Sequence, residues 1–114
     1  MSGVIHFFDN TDDGLRPTEE ARIVEVCAEV SPDRRRVLVT VQLTPSMHRP
    51  DFDVTLLRDG EEIRSTSVVG AFQPENQLTL HLPAGAAGGS YVARVDLLRD
   101  EQVVQTASAA FDVA

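Results

Sequence analysis

An all-β domain, a two-sheet antiparallel sandwich of about seven strands, is the fold class this sequence predicts. Three observations predict it. Apolar and polar residues alternate at period two in several short runs, the mark of strands with one buried face. Clusters of Gly, Pro, Asp and Ser separate those runs at regular spacing. No stretch long enough for a helix carries a helical period.

The chain has 114 residues, the size of one domain. Its apolar content of 42% is enough for a hydrophobic core and too high for a disordered segment. Residues 1–20 differ from the rest. Val4, Ile5, Phe7 and Phe8 form a short apolar patch, and the turn and cap formers from Asp9 to Thr18 follow it. This reads as an N-terminal arm with one short strand and an acidic loop, ahead of a sandwich domain over 21–114.

Each strand then follows from parity. In 22–30, Val24, Val26, Ala28 and Val30 share one face, and Glu25, Cys27 and Glu29 share the other. In 36–44, Val37, Val39, Val41 and Leu43 face inward, against Arg36, Leu38, Thr40 and Gln42. Ser31-Pro32-Asp33 turns the chain between these two. The strand at 52–58 turns Phe52, Val54 and Leu56 inward. Asp59-Gly60 closes a two-residue hairpin, because glycine accepts the positive φ of a primed turn. That hairpin is expected to set Leu56 opposite Ile63 and Val54 opposite Ser65, making Ser65 and Ser67 inward residues of a weakly buried edge strand. Leu78, Leu80 and Leu82 alternate up to Pro83, and the Gly-rich stretch 84–89 connects onward. In 90–99 the inward residues are Tyr91, Ala93, Val95 and Leu97. In 102–113 they are Val104, Thr106 and Ser108, with a bulge near Ala109-Ala110 returning Phe111 and Val113 to the core.

Val54-Thr55-Leu56-Leu57-Arg58-Asp59 is echoed by Val95-Asp96-Leu97-Leu98-Arg99-Asp100, at an offset of 41 residues. Both segments turn at the Asp and return as a second strand. Two similar hairpins are expected.

Leu82-Pro83-Ala84-Gly85, followed by Ser90-Tyr91-Val92-Ala93-Arg94-Val95, resembles the E–F corner and F strand of fibronectin type III and bacterial Ig-like modules. In those families a tyrosine starts the F strand and its hydroxyl bonds back to the corner. The resemblance puts Tyr91 in that place and extends over 21–114 as a strand pattern. It implies that the two echoing hairpins lie side by side in one sheet. The absence of Trp and of a cysteine pair excludes an antibody-type core. Such modules are mostly noncatalytic: they bind, space or inhibit, and intracellular proteinase inhibitors of bacteria are among them.

Composition narrows the function classes. A formal charge of −8 and a pI near 4.7 repel nucleic acid and anionic lipid, so neither is expected as a partner. The basic run Arg34-Arg35-Arg36 follows a turn and reads as a solvated turn. The single cysteine forms no intramolecular disulfide. The opening Met1-Ser2-Gly3 lacks a basic stretch with an apolar run behind it. This predicts neither a secretory leader nor a membrane span, and so a cytoplasmic setting.

Three places hold chemistry-bearing residues. Asp9, Thr11, Asp13, Gly14 and Glu20 follow the ligand spacing of an EF-type calcium loop, although Arg16 and Pro17 interrupt it. Asp9, Thr11, Asp13 and Glu20 are therefore the candidate calcium ligands. Cys27 lies outward between Glu25 and Glu29, which oppose a reactive thiolate, and no histidine is placed beside it. His6, His48 and His81 have no metal-ligand spacing. None of this is a catalytic constellation, so the chain is expected not to be an enzyme.

Leu38, Leu57, Leu98 and Val103 lie outward by parity and form the candidate interaction face; Leu38 joins it if its strand belongs to the same sheet. The N-terminal arm folding over that face is the alternative. The leading expectation is a noncatalytic module with a protein partner or self-association. Inhibition of a cytoplasmic protease through the loops at 45–51 or 71–77, and a calcium-dependent module using 9–20, are the other two.

Overall fold

The computed structural model describes residues 4–7, 21–45, 49–71, 73–83 and 88–113. After the short strand β1 (Val4–Phe7) come β2 (Ile23–Val30), β3 (Arg36–Leu43), β4 (Asp51–Arg58), β5 (Glu61–Val68), β6 (Glu75–His81), β7 (Gly89–Arg99) and β8 (Gln102–Val113). Strands β2-β3-β6 form one antiparallel sheet and β5-β4-β7-β8 the other. The arm adds β1 to β8 as a fifth strand, with Ile5 opposite Ala109 and Phe7 opposite Ala107. Residues 4–7 thus extend a sheet edge instead of lying across a face. Among the described residues no helix is long and apolar enough to cross a membrane.

The core lies between the two sheets and is built by parity. Val26, Ala28, Val37, Val39 and Val41 line one inner face. Phe52, Val54, Leu56, Ala93, Val95 and Leu97 line the other, and all of these are almost wholly buried. Tyr91 stacks on Phe111, with ring centroids 5.6 Å apart and an interplanar angle of 16°. Arg58 lies over the Tyr91 ring, its guanidinium carbon 5.5 Å from the centroid.

Three bulges correct the expected faces. A register shift between Ile23 and Glu25 leaves Val24 unpaired, so Ile23 is buried and Val24 is exposed. In the β4–β5 hairpin Leu57 faces Glu62, but Leu56 faces Arg64 and Val54 faces Thr66, because Ile63 is the extra residue. Thr66 and Val68 therefore take the inner face, and Ser65 and Ser67 the outer one. In the β7–β8 hairpin Leu98 faces Val103 and Leu97 faces Gln105, which makes Val104 the extra residue. Gln105, Ala107 and Ala109 are buried in place of Val104, Thr106 and Ser108. The bulge that returns Phe111 and Val113 to the core sits at the start of β8, not near Ala109-Ala110.

The internal echo has a geometric meaning. Its two copies, β4 and β7, are hydrogen-bonded neighbours, with Val54 opposite Val95. Phe52 pairs with Leu97, and Leu56 with Ala93. A shift of 41 residues exchanges these two pairs, carrying Phe52 onto Ala93 and Leu97 back onto Leu56. The four strands β5-β4-β7-β8 thus repeat about a local two-fold through the Val54–Val95 pair. The extra residues of the two hairpins, Ile63 and Val104, are also 41 apart.

Candidate functional site

One end of the sandwich is formed by the β3–β4 connection, the β5–β6 connection and the β7–β8 turn. Antiparallel pairing brings these three together, since β4, β6 and β8 all start there. The backbone at this end is tied down. The Ala71 N–H donates to the Pro50 carbonyl at 2.8 Å, and the Gly70 N–H to Asp51 Oδ1 at 2.8 Å. The Leu43 N–H donates to the Pro74 carbonyl at 2.7 Å. Arg22 and Thr44 are joined twice: the Thr44 N–H donates to the Arg22 carbonyl and the Arg22 N–H to Thr44 Oγ1, both at 2.9 Å. The expected loop at 71–77 is shorter, because Glu75–Gln77 already belongs to β6.

Four valines stand out at this end: Val24 (48% exposed), Val69 (81%), Val103 (56%) and Val104 (54%). They are the exposed large apolar side chains among the described residues. Val24 and Val104 are bulge residues, so each was turned out of its strand's inner face. Val69 follows the last residue of β5, and Val103 faces Leu98 across the hairpin. Burying such side chains is favourable at roughly 25 cal/mol per Å² of apolar surface, and solitary exposure here recurs four times at one end.

The tip of this end is conformationally unusual. Asp100 and Glu101 both have positive φ, 52° and 65°. Their counterparts in the other hairpin, Asp59 and Gly60, have φ of 54° and 78°. Both are primed turns that match the strand twist, but only the first hairpin places glycine at the second position. Glu101 holds a left-handed backbone beside the exposed valines.

The four outward residues expected to form one face are not gathered. Leu38 lies on β3, in the other sheet, half-buried between Glu29 and Thr79. Leu98 and Val103 are neighbours at the loop end. Leu57 is opposite Val92, six residues along β7 from Leu98, about 20 Å at the usual strand rise. The ground between them is polar. Asp53 and Asp96 face each other there. Asp96 accepts from Arg94 Nε at 3.1 Å and from Thr106 Oγ1 at 2.8 Å, and Asp53 from Ser67 Oγ at 2.6 Å.

Cys27 lies on the outer face of β2, partly exposed, with its thiol 3.6 Å from Glu25 Oε1. Burial, the Glu25 charge and that hydrogen bond all push the thiol pKa up. At the opposite end of the sandwich, the Arg34-Arg35 turn is organised by Asp33. Its carboxylate accepts from the Ser31 hydroxyl and from the Arg35 N–H and lies 3.6 Å from the Arg36 guanidinium. These bonds hold the Asp33 carboxyl below the usual carboxylate range. The calcium candidates Asp9, Thr11, Asp13 and Glu20, with His48, lie outside the described residues. Among the described residues no three His, Cys, Asp or Glu side chains gather as metal ligands.

Sequence reasoning missed Val24, Val69, Val104 and Glu101. Two of them are displaced by bulges that parity does not register. The 41-residue echo carried a usable signal, since it equates Glu101 with Gly60 and Val104 with Ile63. Compared with models of known protein families and with curated proteins, the chain matches none.

Proposed function

We propose that this chain is a noncatalytic interaction module of the Ig or fibronectin type III kind, binding a protein partner with the loop end of its sandwich. The observation that carries the reading is that Val24, Val69, Val103 and Val104, the exposed large apolar side chains among the described residues, all lie toward the same end of the sandwich, on both of its sheets. The fibronectin-like assignment draws support from the side-by-side β4–β5 and β7–β8 hairpins in one sheet. The formal charge of −8 favours a protein over nucleic acid or an anionic membrane, and the lone cysteine suits a cytoplasmic setting.

The test uses the purified chain as bait in a native lysate of its source. A double variant, Val69→Asp with Val103→Asp, changes only exposed side chains and is expected to keep the wild-type melting temperature. A partner captured by the wild type and lost by the variant supports the reading. Equal capture by both, or capture by neither, overturns it.

A second reading, inhibition of a protease, rests on the same end. The bonds from Ala71 to Pro50 and from Gly70 to Asp51 fix residues 50–51 and 70–71 of the two connections against each other, and an inhibitory loop draws on such preorganised backbone. A panel of serine, cysteine and metalloproteases decides it, and full protease activity throughout removes it.

A further inference from the structure

We infer that the outer edge of β6 is a self-association edge, where a second copy of this chain pairs its own β6 antiparallel about Leu78. This surface is separate from the exposed valines.

The phase of the β3–β6 ladder shows which groups β6 leaves open among the described residues. The Leu43 N–H donates to Pro74 O, and the Leu82 N–H to Arg35 O, each at 2.7 Å. With Val39 opposite Leu78, alternation along an antiparallel pair turns the peptide groups of Asn76, Leu78 and Leu80 toward β3. Those of Glu75, Gln77, Thr79 and His81 turn away. The His81 carbonyl accepts from Arg64 Nε at 3.0 Å, as that phase requires.

Among the described residues β6 is met at its edge only at its last residue, where Arg64 holds the His81 carbonyl, and the other sheet edges are blunted differently. β5 is bulged at Ile63 and bears Glu61, Glu62 and Arg64. β2 is met at its start by the Gln105 side chain, which occupies both backbone groups of Ile23. β1 is only four residues long. β6 has seven residues, paired without a register shift along its whole length, and contains no proline. Its one acidic residue, Glu75, is at its start.

The strand is also complementary to itself. A two-fold through Leu78 sets Glu75 opposite His81 of the second copy, a carboxylate against an imidazole that donates a hydrogen bond. It sets Gln77 opposite Thr79, two hydrogen-bonding side chains. All four residues belong to the set whose peptide groups turn away from β3, so the Gln77–Thr79 pairs exchange backbone bonds, while the His81 carbonyl keeps its bond from Arg64 and each outer pair adds the His81 N–H to the Glu75 carbonyl. Leu78, half-buried against the core, meets Leu78 of the second copy in a non-hydrogen-bonded pair, where side chains come closest. No like charges are opposed. The two three-stranded sheets become one continuous sheet, β2-β3-β6-β6-β3-β2.

Sedimentation and light scattering from micromolar to millimolar protein test this. The wild type is expected to rise from 12.4 kDa to twice that mass. The double variant Gln77→Lys, Thr79→Lys sets ammonium groups opposite each other in both Gln–Thr pairs and is expected to stay at 12.4 kDa with an unchanged melting temperature. In a Cys27→Ala background, Leu78→Cys is expected to oxidise to a covalent dimer, since a Cα separation of about 4.5 Å suits a disulfide. The Val69→Asp, Val103→Asp variant is expected to dimerise as the wild type does. A wild type that stays monomeric, a lysine variant that folds and still dimerises, or loss of the dimer through the valine variant each overturns the proposal.

Discussion

The side chain of Gln105 bonds both backbone groups of Ile23, joining residues on opposite sheets. The Ile23 N–H donates to Gln105 Oε1 at 2.7 Å, and Gln105 Nε2 donates to the Ile23 carbonyl at 3.1 Å. The amide takes the place of the peptide group that an additional strand would supply. Gln105 reaches it because the Val104 bulge turns it inward, where it is only 8% exposed.

Replacing that amide with a hydrocarbon of similar size leaves a buried N–H and a buried carbonyl without partners. Gln105→Leu is therefore expected to destabilise the chain by about 2–4 kcal/mol, the cost of two orphaned groups less the gain from apolar burial. Urea unfolding of the variant beside the wild type measures it. A change below about 0.5 kcal/mol would mean that water replaces the amide at the seam.

The two primed turns form a natural control for each other. A left-handed backbone costs a non-glycine residue about 1–2 kcal/mol, part of which is returned by its lower entropy when unfolded. Glu101→Gly is expected to stabilise by about 0.5–1 kcal/mol. Gly60→Ala is expected to destabilise by about 1 kcal/mol through φ alone, because nothing lies within 4 Å of the added Cβ. Thermal melts of the two variants check both signs.

Burial and the neighbouring Glu25 push the Cys27 thiol pKa up, so a slow thiol is expected. Reaction with a disulfide reagent near neutral pH is expected to run slower than that of free cysteine, because the thiolate is the nucleophile. Glu25→Gln removes the charge that opposes ionisation and is expected to speed it. Equal rates for the variant and the wild type would assign the whole shift to burial.

Asp33 gives the chain a pH dependence of fixed sign. Its folded pKa is depressed, so its contribution is fully present above the unfolded value of about 3.9 and is lost as pH falls through the folded one. The melting-temperature difference between the wild type and Asp33→Asn is expected to be constant above pH of about 5 and to shrink in acid. The carboxylate is solvated, so the difference is small; one that grows on acidification would reverse the assignment.

Alternation along the chain by itself determined the sandwich, most of its strands, both hairpins and the inward rows Val37-Val39-Val41, Phe52-Val54-Leu56 and Tyr91 to Leu97. Each of these rows is buried. The local physics suffices there, since a strand with one apolar face must bury that face. Parity counts residues, however, and one extra residue reverses every face beyond it. The bulges at Val24, Ile63 and Val104 are set by how a strand twists against its neighbours, which no short window contains. They moved Ser65 and Ser67 outward, brought Gln105 to Ile23 and put two of the four valines into solvent. The sheet that holds Leu38, the distance from Leu57 to Leu98 and the open edge of β6 depend on strand order. Strand order is a choice among distant pairings, and only packing of the whole chain decides it.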